Sequence, residues 1–383
     1  MSSQPPVKLA VLDDYHGIAA QHFSHLDSAN IDITVFHDTL PSYSHTKTSD
    51  AERQALVDRL RPFSVLSTLR ERTPFPGDLL RQLPSLKIIF ATGGKFESWD
   101  MDTMKELGIK VYTAPGKGRT DGKGSGQSPR SLPIKQGGGH PTTQHVWALI
   151  LGLARNIAAD DAVVKGKGVP AGWQTELAMG LQGKTLGLVG LGRIGAHVAR
   201  VGVLAFGMKV VCWSANLTQE KADSLAEESG LPITGGGMIG EKEKTFKAVN
   251  KEELFRAADV VSVHYVLSDR SRGIVGAQEL EWMKPSALLI NTSRGPLVDE
   301  AALLYTLGNK RIRGAALDVF DIEPLPADSP WRNGDWDAED KSRVLLTPHM
   351  GYVEEGTLTT WYEETAENLE RLIEGKDLLH RIV

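Results

Sequence analysis

Three glycines, at positions 190, 192 and 195, form the most informative pattern in this chain of 383 residues. An apolar run, Thr185 to Val189, precedes them, and a helix-compatible run, Arg193 to Ala205, follows. In a strand–turn–helix, the first glycine permits the tight turn, the second lets backbone approach a pyrophosphate and the third lets helix and strand pack closely. The helix N-terminus offers N–H groups and partial positive charge to phosphates. We therefore predict a dinucleotide-binding loop, made of Gly190, Gly192, Arg193, Ile194 and Gly195.

Three later segments place a cation, carboxylates and an imidazole at the ends of predicted strands. They are residues 289–295 with Arg294, residues 316–324 with Asp318 and Glu323, and residues 346–351 with His349. Open parallel sheets bind ligands at the carboxyl ends of their strands. Arginine suits a substrate carboxylate, histidine exchanges protons near neutral pH, and an acidic neighbour orients the histidine. Reduction of a 2-oxo acid by a nicotinamide needs these three functions, so the segments are interpreted as parts of one active site.

Short β-rich runs alternate with helical stretches along the chain. The runs are residues 9–12, 33–36, 65–67, 87–91, 110–112, 185–189, 209–213, 260–264, 288–291, 314–318 and 344–347. Many are continuous apolar runs, which are typical of parallel strands covered on both faces. The pattern predicts two α/β units in tandem. Between them lies a Gly-, Ser- and Lys-rich segment, 116–139, whose composition predicts that it cannot order itself. A helix from about Thr143 to Ile157 follows.

Composition excludes several other classes. The formal net charge of −5 gives no reason to expect nucleic acid or an anionic membrane as a partner. The single cysteine, Cys212, excludes an intrachain disulfide and a cysteine-rich zinc site, and we expect no metal. No apolar run reaches the roughly 18 residues that span a bilayer, and the polar N-terminus does not look like a secretory signal. We expect a soluble, cytoplasmic protein.

Four motifs together resemble those of the D-isomer-specific 2-hydroxyacid dehydrogenases. They are Gly190-Leu-Gly192-Arg-Ile-Gly195, Asn291-Thr-Ser-Arg294-Gly, Asp318-Val-Phe-Asp-Ile-Glu323-Pro and Thr347-Pro-His349-Met-Gly. The resemblance implies two doubly wound parallel-sheet α/β domains with a cleft between them. A discontinuous, flavodoxin-like substrate domain would comprise residues 1–142 and 351–383. A Rossmann NAD(P)-binding domain would comprise residues 143–350. The resemblance also implies a homodimer.

The resemblance also implies a role for each site residue. His349 would be the general acid, giving a proton to the carbonyl oxygen as hydride reaches the carbonyl carbon. Glu323 would hydrogen-bond the other ring nitrogen and favour the imidazolium form. Arg294 would bind the substrate carboxylate, and Asp318 would lie near the nicotinamide ring. Backbone N–H groups of Gly93, Gly94 and Lys95 would help to hold the substrate carboxylate.

Two features depart from the family pattern. Ser214 occupies the position, after the second strand of the coenzyme domain, where an NAD-specific Rossmann fold carries an acidic residue. Because Ser214, Asn216 and Thr218 could donate hydrogen bonds to a 2′-phosphate, we expect NADPH to serve at least as well as NADH. The segment 116–139 is longer than the resemblance predicts, and it is either an inert insertion or a lid.

The predicted activity is reduction of a 2-oxo acid by NAD(P)H to an (R)-2-hydroxy acid. A bulky or aromatic 2-oxo acid is one possible substrate, because four aromatic residues lie in segments that could line the pocket: Phe75, Trp99, Tyr352 and Trp361. Aromatic residues of this kind are more often part of the core. Two alternatives remain. One is a formate dehydrogenase on the same scaffold, which Glu323 disfavours. The other is a nucleotide-sensing, co-repressor-like binding protein, which would keep the same site residues.

Overall fold

The computed structural model describes residues 6–26, 28, 30–94, 96–125, 140–166, 173–174, 176–236, 242–336, 338 and 340–383. The chain divides into two compact units. The first unit comprises Met1–Arg130 with Glu354–Val383, and the second comprises Ser131–Val353. The second unit therefore begins and ends slightly outside the expected boundaries of 143 and 350. Within the described ranges, no helix combines the length and apolar character needed to cross a membrane.

The first unit is built on a five-stranded parallel sheet with the strand order β2-β1-β3-β4-β5. Its strands are β1 (Val7–Val11), β2 (Ile31–Val35), β3 (Val65–Thr68), β4 (Ile88–Thr92) and β5 (Lys110–Ala114). Its helices are α1 (Ala19–Phe23), α2 (Asp50–Leu60), α3 (Gly77–Leu80), α4 (Met101–Glu106) and, near the end of the chain, α13 (Glu355–Ile373). This strand order is that of flavodoxin-like folds.

Apolar side chains cover both faces of this sheet. Leu9 and Val11 of β1 pack with Tyr362 of α13 on one face, while Ala10 packs with Leu56 of α2 on the other. Burial on both sides explains why the strands are continuous apolar runs, because successive residues of a strand point to opposite faces.

The second unit is built on a seven-stranded parallel sheet with the order β12-β11-β10-β9-β6-β7-β8. Its strands are β6 (Thr185–Val189), β7 (Lys209–Trp213), β8 (Phe246–Ala248), β9 (Val260–Val263), β10 (Leu288–Asn291), β11 (Gly314–Leu317) and β12 (Arg343–Leu346). Its helices are α5 (Pro141–Ala154), α6 (Ile157–Val164), α7 (Arg193–Phe206), α8 (Gln219–Glu228), α9 (Lys251–Ala257), α10 (Ala277–Trp282), α11 (Glu300–Gly308) and α12 (Pro330–Asn333). The strand order reverses between β6 and β9, the position where doubly wound sheets bind nucleotides.

These two sheets confirm the predicted fold class, with two differences in detail. Strand β8 was missed because its three residues, Phe246–Ala248, form no recognisable β-rich run. The helix predicted from Thr143 to Ile157 ends at Ala154, and α6 begins after Asn156. Asn156 has a left-handed backbone with φ of 55°, which interrupts the helix and which asparagine tolerates better than most residues.

Candidate active site

The glycine loop follows β6, and two of its glycines leave no space for a side chain. Gly190 has φ of +103°, and a Cβ there would lie 2.4 Å from the carbonyl oxygen of His264. A Cβ on Gly195 would lie 2.5 Å from the carbonyl oxygen of Gly190. Gly192 differs, because a Cβ there would meet no atom within 4 Å and the residue is exposed. Packing thus explains Gly190 and Gly195 but not Gly192.

Helix α7 starts at this loop. Gly192 is its N-cap residue and provides no side-chain hydrogen bond to the first turn, which begins with the exposed Arg193 and the half-buried Ile194. A helix N-terminus without a capping side chain has backbone N–H groups available to an anion. The open space at Gly192 and the uncapped turn therefore fit the pyrophosphate of a dinucleotide.

The turn after β7 carries the residues expected at a 2′-phosphate. Ser214 is half-buried, and Asn216 and Thr218 are exposed. The Thr218 hydroxyl caps α8 by accepting a hydrogen bond from the Lys221 backbone N–H at 3.3 Å. The Lys221 ammonium donates to the Asn216 carbonyl oxygen at 3.1 Å, which holds a cation over this turn. No cation was expected at this turn from the sequence, because Lys221 lies within α8 and not directly after the strand.

Arg294 lies in a tight turn after β10 that a neighbouring asparagine holds. The Asn291 side chain donates to the Arg294 carbonyl oxygen at 3.0 Å and accepts from the Ser293 N–H at 3.1 Å. A Cβ on Gly295 would lie 2.0 Å from the carbonyl carbon of Phe320, in the segment after β11. The turn that carries Arg294 is therefore packed directly against the segment that leads to Glu323.

His349 and Glu323 form a hydrogen-bonded pair. His349 Nδ1 lies 2.5 Å from Glu323 Oε2, and Glu323 Oε1 accepts from the Phe320 N–H at 2.9 Å. The two side chains are 20% and 26% exposed, so both remain within reach of a small molecule. Because β10, β11 and β12 are adjacent, the segments carrying Arg294, Glu323 and His349 leave the same sheet edge side by side.

Asp318, which we expect near a nicotinamide ring, is surrounded by hydrogen-bond donors of its own unit. Its side chain is 1% exposed and accepts four hydrogen bonds, from His145, Thr347 and the N–H groups of Met350 and Gly351. Burial alone would raise the pKa of Asp318, but these donors outweigh it and lower the pKa. Its carboxylate is thus committed to the segment around His349, a task that the sequence did not indicate.

His264 directly follows β9 and lies beside the glycine loop. Its Nε2 lies 2.9 Å from the Ser262 hydroxyl, and burial lowers its pKa to about 4, so the ring is neutral at physiological pH. The residue provides backbone against which Gly190 packs.

In the first unit, the loop after β4 agrees only partly with expectation. The Gly93 N–H donates to the Ala114 carbonyl oxygen at 2.9 Å, so this donor is already used within the sheet and would have to share its hydrogen with a substrate carboxylate. Gly94 is exposed, and no acceptor within the described part of the chain takes its N–H. Lys95 lies outside the described residues. Arg70 lies beside this loop, and its guanidinium nitrogen would be 3.4 Å from a Cβ on Gly93.

Three of the four aromatic residues considered as pocket residues belong to the interior. Phe75, Trp99 and Trp361 are buried, and the first two make an edge-to-face contact at 5.2 Å. Tyr352 is half-buried and stands edge-on to His349 at 5.6 Å between ring centroids. The idea of a bulky substrate therefore rests on Tyr352 alone.

The expectation that residues 116–139 do not order themselves is wrong for the described part, 116–125. Glu364 of α13 accepts backbone N–H groups of Gly116 at 2.8 Å, Lys117 at 2.5 Å and Gly118 at 2.6 Å. Arg119, with a side chain only 6% exposed, pairs with Glu370 of the same helix at 2.5 Å. Distant carboxylates, rather than apolar burial, thus hold these residues. Residues 126–139 lie outside the described residues.

Comparison with known proteins agrees with this geometry. The family model of the D-isomer specific 2-hydroxyacid dehydrogenase, NAD binding domain, matches residues 147–351. A glyoxylate reductase from Aeropyrum pernix is 33% identical, with the alignment covering 78% of this chain and 77% of that protein. A D-3-phosphoglycerate dehydrogenase from Bacillus subtilis is 33% identical over 77% of this chain and 46% of its own length.

A solved structure extends the likeness to nearly the whole chain. A phosphoglycerate oxidoreductase from Vibrio cholerae is 31% identical, with a TM-score of 0.72, over 96% of this chain and 99% of that one. The chain belongs to the D-isomer-specific 2-hydroxyacid dehydrogenases, a family of NAD-dependent oxidoreductases.

Proposed function

We propose that this protein transfers hydride between NAD(P)H and a small 2-oxo acid, giving an (R)-2-hydroxy acid, with His349 as the general acid/base. The observation that carries the proposal is the 2.5 Å contact between His349 Nδ1 and Glu323 Oε2 at the sheet edge that also carries Arg294. That contact orients the ring so that its other nitrogen, Nε2, can serve the substrate.

The residues divide the chemistry as follows. The glycine loop and the turn after β7 would hold the dinucleotide, whose nicotinamide would supply or accept the hydride. His349 Nε2–H gives its proton to the carbonyl oxygen as the C–H bond forms, and takes it back from the hydroxyl in the reverse direction. Glu323 stabilises the imidazolium form in which the proton is held. The Arg294 guanidinium binds the substrate carboxylate through parallel N–H donors, which fixes the carbonyl carbon in place.

We propose that either nicotinamide cofactor binds, with NADPH at least as effective as NADH. Support comes from the turn after β7, where Ser214 replaces a carboxylate that would repel a 2′-phosphate. Asn216 and the Lys221 ammonium beside it provide donors for that phosphate. The open backbone at Gly192 and the uncapped first turn of α7 suit the pyrophosphate.

We propose that the protein is a homodimer. Several large apolar side chains of the second unit are exposed, among them Leu177 at 90% and Val164 at 69%. Leu204 of α7, itself 57% exposed, lines a groove of about 540 Å³ with Phe206. Association would bury such side chains. Sedimentation should show a dimer, and the double change Leu177→Glu with Leu204→Glu should shift it to monomer.

A substrate panel tests the proposed reaction. Purified protein would be assayed by nicotinamide absorbance with glyoxylate, hydroxypyruvate and other 2-oxo acids, with NADPH and with NADH. Glyoxylate and hydroxypyruvate belong in the panel because relatives are named as their reductases. Saturable turnover with an (R)-2-hydroxy acid product supports the proposal. Tight nucleotide binding with no turnover on any 2-oxo acid would instead favour a nucleotide sensor.

A further inference from the structure

A histidine that the sequence analysis left without a role contacts the network behind His349. His145 lies in the second turn of α5, and its Nε2 is 3.1 Å from Asp318 Oδ1 and 3.0 Å from Thr347 Oγ1. The Thr347 hydroxyl in turn donates to Asp318 Oδ1 at 2.6 Å. The three side chains form a closed triangle of hydrogen-bonding atoms, and Asp318 in it is fully buried.

Counting protons in this triangle determines which form of His145 is present. Thr347 has a single hydroxyl proton, and the short contact assigns it to the Asp318 carboxylate. His145 Nε2 faces a carboxylate oxygen and a hydroxyl oxygen that is already a donor, so both neighbours require a proton from the ring. His145 therefore carries hydrogen on Nε2 and donates toward Asp318 and Thr347.

The same carboxylate holds the backbone on the far side of His349. Asp318 Oδ1 accepts the Met350 N–H at 2.7 Å, and Oδ2 accepts the Gly351 N–H at 2.9 Å. Thr347, two residues before His349, is held by its hydroxyl. Asp318 thus binds the chain on both sides of His349. His145, on α5, donates a side-chain hydrogen bond to the Asp318 carboxylate.

His349 needs this support because its backbone is strained. Its φ is 56°, in the left-handed region that few residues other than glycine adopt, although asparagine, aspartate and histidine occur there more often than other types. Such a conformation persists only where surrounding contacts over-determine it. In this backbone conformation, His349 Nδ1 lies 2.5 Å from the Glu323 carboxylate. The contact between His349 and Glu323 therefore occurs together with the strained backbone of His349.

We propose that His145 is a positioning residue for the general acid/base, an inference that rests on the proposed function of His349. By donating Nε2–H to Asp318 and Thr347, His145 keeps the carboxylate turned toward the Met350 and Gly351 N–H groups. This holds the His349 ring in register with Glu323. His145 does not touch the reacting atoms, and its contribution passes entirely through Asp318 and Thr347.

Two replacements of His145 separate this role from simple packing. His145→Leu keeps comparable bulk but removes the donor, whereas His145→Gln keeps an N–H donor at nearly the same reach. Gln144→Leu is the matched control, because residue 144 lies beside His145 on α5 but is exposed. Without the hydrogen bond from His145 to the buried Asp318 carboxylate, the fraction of molecules that hold His349 in the paired position should fall by about tenfold or more.

The kinetic test compares these variants on the best 2-oxo acid. We expect His145→Leu to lower kcat by about tenfold or more while KM for the nicotinamide changes less than about twofold. His145→Gln should recover most of the lost kcat, and Gln144→Leu should behave as wild type. Equal kcat in His145→Leu and wild type, or no recovery in His145→Gln despite wild-type thermal stability, would overturn the proposal.

A second readout does not depend on turnover. The His349 Nδ1 proton, held in the short bond to Glu323, should give a far-downfield proton NMR resonance that Glu323→Gln abolishes. We expect His145→Leu to broaden or remove it and His145→Gln to restore it. If the protein turned over no 2-oxo acid, the proposed function would fail while this spectrum still reported the positioning. An unchanged resonance in His145→Leu would refute the positioning role alone.

Discussion

His349 Nδ1 lies 2.5 Å from Glu323 Oε2, although the two residues follow different strands, β12 and β11. The pairing depends on the adjacency of these strands in the parallel sheet. Only a ring held by this contact presents its other nitrogen, Nε2, in a defined direction.

Replacing His349 with alanine should lower kcat by about 10²- to 10⁴-fold, the usual contribution of a general acid/base. NADPH affinity, measured by fluorescence titration, should stay within about twofold, because the glycine loop is untouched. Glu323→Gln should lower kcat less, since glutamine keeps a hydrogen bond to the ring but removes the charge that stabilises imidazolium. A His349→Ala protein with more than a tenth of wild-type kcat would exclude His349 from proton transfer.

Gly190 and Gly192 should respond oppositely to alanine. Gly190→Ala should fail to fold stably, because its Cβ would lie 2.4 Å from the His264 carbonyl oxygen. Gly192→Ala should keep wild-type thermal stability, since no atom lies within 4 Å, yet weaken NADPH binding by about tenfold or more if a pyrophosphate occupies that space. Calorimetric titration checks the affinity. Unchanged NADPH affinity in a folded Gly192→Ala protein would place the pyrophosphate elsewhere.

Ser214→Asp should change the cofactor preference. A carboxylate after β7 repels a 2′-phosphate and accepts hydrogen bonds from a ribose 2′-OH. We expect kcat/KM for NADPH to fall about tenfold or more, while that for NADH is kept or improved. Ser44→Asp, which adds the same charge at an exposed site of the first unit, is the control. A wild-type preference of tenfold or more for NADH would contradict the proposed cofactor assignment.

Asp13→Asn should alter the pH dependence of stability. Asp13 follows β1, is 1% exposed, and accepts a hydrogen bond from the Thr73 hydroxyl at 3.1 Å. Burial raises its pKa from 3.8 to about 6. The folded state therefore binds the Asp13 proton more tightly than the unfolded state does. Protonated Asp13 contributes its full stabilisation of the folded state below about pH 4, and this stabilisation is lost as the pH rises through about 6.

Removing this carboxylate should therefore stabilise the protein near neutral pH by about 1–3 kcal/mol relative to wild type. The gain should shrink as the pH falls toward 4. Asparagine tolerates the left-handed backbone of residue 13, whose φ is 63°. Thermal unfolding of both proteins across this range provides the measurement. A difference that does not vary with pH would show that Asp13 does not titrate in this window.

Glu364→Gln should loosen residues 116–125. Three backbone N–H groups converge on this carboxylate, and an amide would turn an NH₂ group toward at least one of them. A buried donor left without an acceptor costs about 1–3 kcal/mol. We expect faster tryptic cleavage near Lys117 and a lower Tm. Glu363→Gln is the control, because among the described residues its carboxylate accepts a single backbone N–H, that of Ser125 at 2.9 Å. Equal cleavage rates in both variants would show that Glu364 is not the anchor.

The sequence by itself determined all strands but β8 and the order of the motifs. Continuous apolar runs such as Val260–Val263 identify buried parallel strands, because burial on both faces leaves no polar alternation. Gly190 and Gly195 are recognisable because the strand–turn–helix excludes side chains there. Arg294, Glu323 and His349 were predicted as site residues because each follows such a run.

Tertiary structure decided which groups have partners. The Gly93 N–H is taken by Ala114 of the neighbouring strand, and Asp318 is turned toward His145 and the backbone after His349. Residues 116–118 are ordered by Glu364, about 250 positions along the chain. Local sequence reports what a residue can donate or accept, but which distant atom comes within 3 Å is settled only when sheets and helices pack.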